Sequence, residues 1–206
     1  MTKKKAVVLN SGGFDSTTLL AMLAHFNERE IYSVYFDCGQ LNNPECSKVA
    51  RENAEKAGAH HYEVKLPKFS WTKSTFYKEG VNDYDGQYLE MRNLVFISYA
   101  MSLADSVGAE EIYAAILNNT DYKDTSTEFL EAMRGLCESV GMTFNTPFSN
   151  NCKAEMFELA KAVGVGTKYK YFSCDLPVNG SPCHDCLDCK DTDYFESGEW
   201  SAQKDQ

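Results

Sequence analysis

The chain has 206 residues, with 20 basic and 30 acidic side chains giving a net charge of −10, and 43% of it is hydrophobic against 24% charged. That is globular composition, and no apolar run approaches the ~18 residues a membrane helix needs, so a disordered chain and a membrane partner are both excluded from the expectation. The length fits one domain with a small appendage at most.

Only four apolar residues separate the N-terminal lysines from the polar NSGGFDS, too few for the core of a secretory signal, so a cytoplasmic location is expected. Nucleic acid is not expected as a direct partner: the chain is acidic and has no basic cluster beyond Lys3–Lys5.

Lys5–Leu9 reads as a short strand buried on both faces, and it runs into a glycine-containing polar turn. From Ser16 the apolar residues fall at near-helical spacing, and a second strand follows at Ile31–Phe36. Pro44–Ala57 reads as a helix closed by Gly58, and His61–Leu66 as a third strand. This βαβαβ rhythm predicts an α/β fold with a Rossmann-like, doubly wound parallel sheet and right-handed crossovers.

Residues 67–91 show no period and read as a long excursion, either a functional flap or a surface loop. Beyond it the pattern predicts a helix at Arg92–Val107, a strand at Glu111–Leu117, a helix at Ser126–Val140, a short strand at Met142–Asn145 and a helix at Lys153–Val163. The last forty residues carry little periodicity. The expected organisation is therefore an α/β domain over 1–166 and a cysteine-rich tail over 167–206.

Between the first strand and first helix stands Leu9-Asn10-Ser11-Gly12-Gly13-Phe14-Asp15-Ser16-Thr17. Two adjacent glycines let backbone N–H groups turn toward an anion. The hydroxyls of Ser11, Ser16 and Thr17 add donors, and the helix N-terminus adds partial positive charge. The stretch lacks the Lys-Ser/Thr of a Walker loop and is not a dinucleotide fingerprint. Its bland reading is a tight turn with Asp15 as helix cap.

Cysteine use is uneven: Cys38, Cys46, Cys137 and Cys152 are scattered, whereas Cys174, Cys183, Cys186 and Cys189 fall within sixteen residues. Four thiolates fill a tetrahedral zinc site and leave no open position, so the metal would order a tail that has little apolar surface of its own. An iron–sulfur cluster fits the same ligands, and disulfides are the third reading.

The hexapeptide SGGFDS resembles the PP-loop of the ATP pyrophosphatases, a superfamily with an adenine-nucleotide α-hydrolase fold. There the loop grips the pyrophosphate of ATP while an oxygen nucleophile attacks the α-phosphorus, and an amine or sulfur then displaces AMP. With the C-terminal SC(x8)CxxCxxC, the chain resembles the 7-cyano-7-deazaguanine synthase family, often called QueC. Phe36-Asp37-Cys38-Gly39-Gln40 with Glu45 is similar to that family's YGQxHxxE, and Leu89 to Phe96 to its VPxRNxxF. Asn145-Thr146-Pro147-Phe148 with Lys153-Ala154-Glu155 is similar to its TPLxxxxKxE.

The resemblance implies an ATP-dependent ligase that turns 7-carboxy-7-deazaguanine and ammonia into the nitrile through an amide. ATP would lie on Leu9 to Thr17, with Asp15 as a ligand of Mg²⁺. Arg92, Asn93 and Lys153 would join Asp15 at the reacting centre, and Zn²⁺ would bind the four clustered cysteines. A homodimer is also implied. Bottom-up, the Arg92 guanidinium suits a phosphate or carboxylate through its planar fork, and Lys153 suits phosphate charge; the bland alternatives are a surface arginine and a solvated lysine.

One stretch departs from the family. Where GxNxxDYSGYPDCRPEF is the pattern, residues 115–129 run AILNNTDYKDTSTEF, shorter and with Thr125 and Ser126 where a Cys-Arg pair stands. Asp121, Asp124 and Glu128 keep their places. A remodelled substrate side admits a second reading, an amide-forming ligase that passes the activated carboxylate to another amine, either a small molecule or a protein N-terminus. A non-catalytic ATP sensor would also keep the phosphate loop.

Overall fold

The computed structural model describes residues 3–74, 76–79, 88–117 and 122–198. Parts of two stretches singled out above, residues 80–87 of the excursion and 118–121 with Asp121, lie outside the described residues, as do the last eight.

Five strands form one sheet: β1 (Lys4–Leu9), β2 (Arg29–Asp37), β3 (His60–Lys65), β4 (Glu111–Tyr113) and β5 (Thr143–Asn145). Their spatial order is β3-β2-β1-β4-β5 and every pairing is parallel, so the fold is the Rossmann-like α/β sheet the rhythm predicts. Around it lie α1 (Phe14–Phe26), α2 (Asn43–Ala57), α3 (Arg92–Val107), α4 (Thr127–Ser139), α5 (Lys153–Ala162) and α6 (Leu187–Ser197). No helix among the described residues is long and apolar enough to cross a membrane.

Strand alternation sends successive side chains to opposite faces, and both faces are covered. Val7, Val34 and Ile112 pack on one face with Ile97 and Ala100 of α3 and Leu130 of α4. Ala6, Val8 and Ile31 pack on the other with Leu19 and Leu20 of α1 and Met156 of α5. Ala6, Val7 and Val8 are all fully buried, which is why β1 reads as an unbroken apolar run and sits at the centre. Winding reverses between β1 and β4, and this topological switch opens a crevice at the carboxyl ends of the strands.

Two expectations change. The fourth strand is three residues long where Glu111–Leu117 was expected: Tyr113 pairs with Asn145, the last residue of β5, and Pro147, which has no N–H, follows two positions later. The aperiodic tail contains a helix, α6, whose N-cap is the ligand candidate Cys186 and whose end is Gly198 in the left-handed region. Its order comes from tertiary contacts, since Phe195 packs edge-on against Phe14 at 4.8 Å between ring centroids. The segment between 165 and 171 joins the same cluster, with Tyr169 and Val165 buried beside Phe14 and Phe157.

Candidate active site and thiol cluster

The loop after β1 owes its shape to one buried amide. Asn10 accepts the Gly12 N–H on Oδ1 (3.2 Å) and donates from Nδ2 to Ser33 Oγ and to the Ala50 carbonyl, both at 3.0 Å. Gly12 adopts φ +77°, and a Cβ there would lie 2.4 Å from the Cys46 carbonyl oxygen, so only glycine lets the loop lie flat on α2. Ser16 Oγ accepts the Ser11 N–H (3.1 Å) and lies 2.9 Å from Ser11 Oγ. The helical ladder of α1 begins only at the bond from Thr17 N–H to the Gly13 carbonyl (3.0 Å), leaving the first-turn N–H groups of Asp15 and Ser16 for an occupant.

This loop forms one wall of a cavity of 340 Å³ at the switch point. Leu9, Asn10, Ser11, Gly13, Phe14, Asp15 and Ser16 line it, as do Arg92, Asn93 and Lys153. Residues from three separate stretches of sequence are thus brought to one space. Gly12 and Thr17 stand behind the wall: Gly12 lies against α2, and fully buried Thr17 accepts a hydrogen bond from Asn53 Nδ2 at 3.3 Å.

Lys153, the first residue of α5, reaches Asp15 Oδ1 and Asp191 Oδ2, each at 3.4 Å. Burial pushes the Asp15 carboxyl above its ordinary range, and the Lys153 charge pulls it back part of the way. Burial works against the Lys153 ammonium as well, but Asp15, Asp191 and Asp188 outweigh it and hold its pKa above the usual lysine value. Lys153 is therefore a cation inside the cavity.

The far side of the cavity is built from side chains. Arg92 opens α3 and places its guanidinium over the Phe76 ring, 5.2 Å from the centroid. The N-terminus of α3 is held by Asp124, whose Oδ2 accepts the Asn93 N–H (2.8 Å) while its carbonyl accepts from Asn93 Nδ2 (3.0 Å). Asn93 is thereby oriented by the departing segment. Ser126 caps α4, accepting the Phe129 N–H at 3.2 Å, so the position where the family pattern has an arginine serves a helix end here.

Four residues that sequence reasoning missed come from the tail. Asp175, Asp188 and Asp191 line the cavity, and so does Ser173, whose Oγ accepts the Phe14 N–H at 2.9 Å. Burial raises the carboxyls of Asp175 and Asp188, and the neighbouring Asp175 charge raises Asp188 further. The only signal for them in the sequence is proximity to the cysteines.

The sulfur atoms of Cys174, Cys183, Cys186 and Cys189 all lie within 4.8 Å of one another. Cys183 and Cys189 are 3.9 Å apart, close to the ~3.8 Å edge of a tetrahedron with Zn–S bonds of ~2.3 Å. Backbone N–H groups already point at these sulfurs: Cys174 Sγ accepts from Cys183 (3.2 Å), and Cys183 Sγ from Asp185 (3.4 Å) and Cys186 (3.3 Å). Burial opposes ionisation of Cys183, yet those two N–H groups help bring its thiol down to about 7, whereas burial lifts Cys174 to about 11. The set fits a metal held by four thiolates. His184 lies outside it and pairs with Asp193 at 3.0 Å.

Against known proteins, the model of the family described as "Queuosine biosynthesis protein QueC" matches residues 5–194. The chain is 30% identical over 211 residues to the 7-cyano-7-deazaguanine synthase of Rickettsia massiliae and 33% identical over 207 residues to that of Pelobacter propionicus. Each match covers 91% of both chains. Among solved structures, the U34-tRNA thiolase NcsA from Methanococcus maripaludis, described with its [4Fe-4S] cluster, superposes with a TM-score of 0.55 at 14% identity. The match covers 96% of this chain and 67% of that one, and it shows the shared fold. With a family model that spans residues 5–194 and relatives 30% and 33% identical over 91% of both chains, the chain belongs to the QueC family.

Proposed function

We propose that this protein is an ATP-dependent carbon–nitrogen ligase that converts 7-carboxy-7-deazaguanine and ammonia to the 7-cyano compound. The observation that supports it most is the single cavity joining an anion-binding loop to a guanidinium and an ammonium. The substrate carboxylate oxygen attacks the α-phosphorus of ATP and pyrophosphate leaves, forming an acyl adenylate. Ammonia attacks the acyl carbon, AMP leaves with the carboxylate oxygen, and a proton is lost to give the amide. The amide oxygen then attacks the α-phosphorus of a second ATP and a second pyrophosphate leaves; loss of AMP, which takes the amide oxygen, and of the two protons on nitrogen gives the nitrile.

The chain's own groups carry the charge work. Ser11, Ser16 and the first-turn N–H groups of α1 hold the leaving phosphates, and Lys153 offsets the negative charge that grows on them. Arg92 receives the substrate carboxylate through its fork and keeps it in line. Asp15 would hold Mg²⁺, which neutralises phosphate charge when bound. Cys174, Cys183, Cys186 and Cys189 would hold Zn²⁺, a structural cross-link for the tail.

Thr125 and Ser126, which put no guanidinium at the altered segment, favour a second reading in which a bulkier amine takes the place of ammonia and the reaction stops at an amide. Mass spectrometry of the protein with 7-carboxy-7-deazaguanine, ATP and Mg²⁺, with and without ammonium, separates them. A nitrile that forms only with ammonium is the expected result; an amide never converted to nitrile transfers the case to the second reading. Asp15→Asn is expected to lower turnover about 10²-fold with the fold intact by circular dichroism. Elemental analysis should return one zinc per chain, and iron with a visible charge-transfer band would replace the zinc assignment by a cluster.

A further inference from the structure

The tail meets the phosphate loop through a short run of backbone next to the first thiol. Phe172 donates its N–H to the Gly12 carbonyl (2.9 Å), and its own carbonyl accepts from Cys46 Sγ (3.2 Å). Ser173 caps the Phe14 N–H at 2.9 Å, and the Cys174 carbonyl accepts from Asn42 Nδ2 at 3.0 Å. Three consecutive residues of the tail are thus tied to α1, α2 and the loop, and the third of them is a candidate metal ligand.

Ser173 has a particular place in this run. Its oxygen accepts the N–H of the first residue of α1, and its own O–H lies in the cavity wall beside Gly13, where a Cβ on Gly13 would be 3.7 Å from Ser173 Oγ. A hydroxyl uses its oxygen as acceptor and its proton as donor at once. The first-turn N–H of Phe14, which would otherwise face an anion directly, is relayed through this serine.

We propose that Ser173 is a phosphate-binding residue of the nucleotide site, supplied by the tail and held in place by the thiol-bound metal, so that nucleotide affinity depends on the metal. The inference rests on the reading of the cavity as an ATP site and adds a residue and a coupling to it. The physical reason is preorganisation: Ser173 precedes Cys174 directly, and freeing that thiol lets the serine and Phe172 leave the loop.

Calorimetric titration of the full-length, metal-loaded protein with ATP and Mg²⁺ tests this, with metal content measured on each sample. Ser173→Ala is expected to keep its metal and to bind ATP about tenfold more weakly, the loss of one hydrogen bond to a charged group. Ser173→Thr, which keeps the hydroxyl, should stay within about threefold. Stripping the metal from wild type should cost a similar factor, and stripping it from Ser173→Ala should add little, since both act through one contact.

Wild-type affinity in Ser173→Ala, unchanged affinity after metal removal, or losses that multiply would each overturn the proposal; so would loss of the metal in Ser173→Ala, which would make the serine a structural support. If the protein binds ATP with these dependences but forms no carbon–nitrogen bond, the proposed reaction falls and the inference stands. If the reaction proceeds and Ser173→Ala binds normally, the reverse holds.

Discussion

The body of the molecule and its cysteine tail are ordered by different physics. In the body, β1 is buried on both faces and its neighbours fill two apolar layers, so the structure follows from area removed from water. In the tail, Tyr169 and Phe195 pack on Phe14 and Phe157, but around the thiols the buried cluster is only Cys174, Cys186 and Cys189 with Phe172 and Cys183 packed on it, little apolar area for a segment that carries a candidate metal site. The two regions meet at the glycine loop after β1, where the sheet delivers Gly12 and Gly13 and the tail delivers Ser173 and three aspartates. A site assembled at such a seam inherits the stability of the weaker side.

Removing the metal breaks this comparison most strongly. Structural zinc sites contribute on the order of 10 kcal/mol to small folds, so a strong chelator, or Cys174→Ser, should speed hydrogen exchange at the thiol-bearing backbone of 172–174 and 183–186 while the amides of β1 and β2 stay protected. Equal loss of protection in the sheet would mean that the two regions fold as one unit.

Gly12→Ala attacks the body's side of the seam. The new Cβ would meet the Cys46 carbonyl at a left-handed φ, at a cost of about 2–4 kcal/mol, visible as a lowered unfolding midpoint together with lost ATP binding. Phe195→Ala sharpens the comparison from the tail's side. The ring packs on Phe14 and Phe157, so its removal should cost about 1–2 kcal/mol in denaturant unfolding without displacing the metal.

The smallest effect is a pH dependence confined to the body. Asn10 donates to Ser33 Oγ, so the serine proton points at His61 Nδ1 (3.1 Å), a bond that requires the neutral ring. Burial lowers the His61 pKa below its ordinary value. Below about 6.5 the unfolded chain therefore takes up a proton that the folded chain refuses, and stability falls as pH drops through that range. His61→Gln should flatten this part of the stability–pH curve; an unchanged slope would place the titration elsewhere.

Legibility in the sequence follows the same division. The order of strands and helices and the glycine loop after β1 are readable because each is local: a short apolar run, a glycine pair and a periodic helix stand next to one another in the chain. The four thiols are readable as a cluster because their spacing in the sequence is that of a candidate metal site. Ser173, Asp175, Asp188 and Asp191 are not, since their role depends on how the tail folds back across α1, and that contact leaves no periodic trace. For the same reason α6 was invisible: its order comes from Phe195 on Phe14 and from the cysteine at its N-cap. Thr17 shows the converse, a hydroxyl of the right type in the right motif that the fold turns toward Asn53.

The most direct test of the central claim, that this cavity activates a carboxylate on the α-phosphorus of ATP, is an oxygen-label experiment. With the substrate carboxylate enriched in ¹⁸O and single-turnover amounts of protein, the account predicts that the AMP released on amide formation carries one ¹⁸O atom and that pyrophosphate carries none. Label found in inorganic phosphate with ADP as the co-product, or AMP free of label, would contradict it.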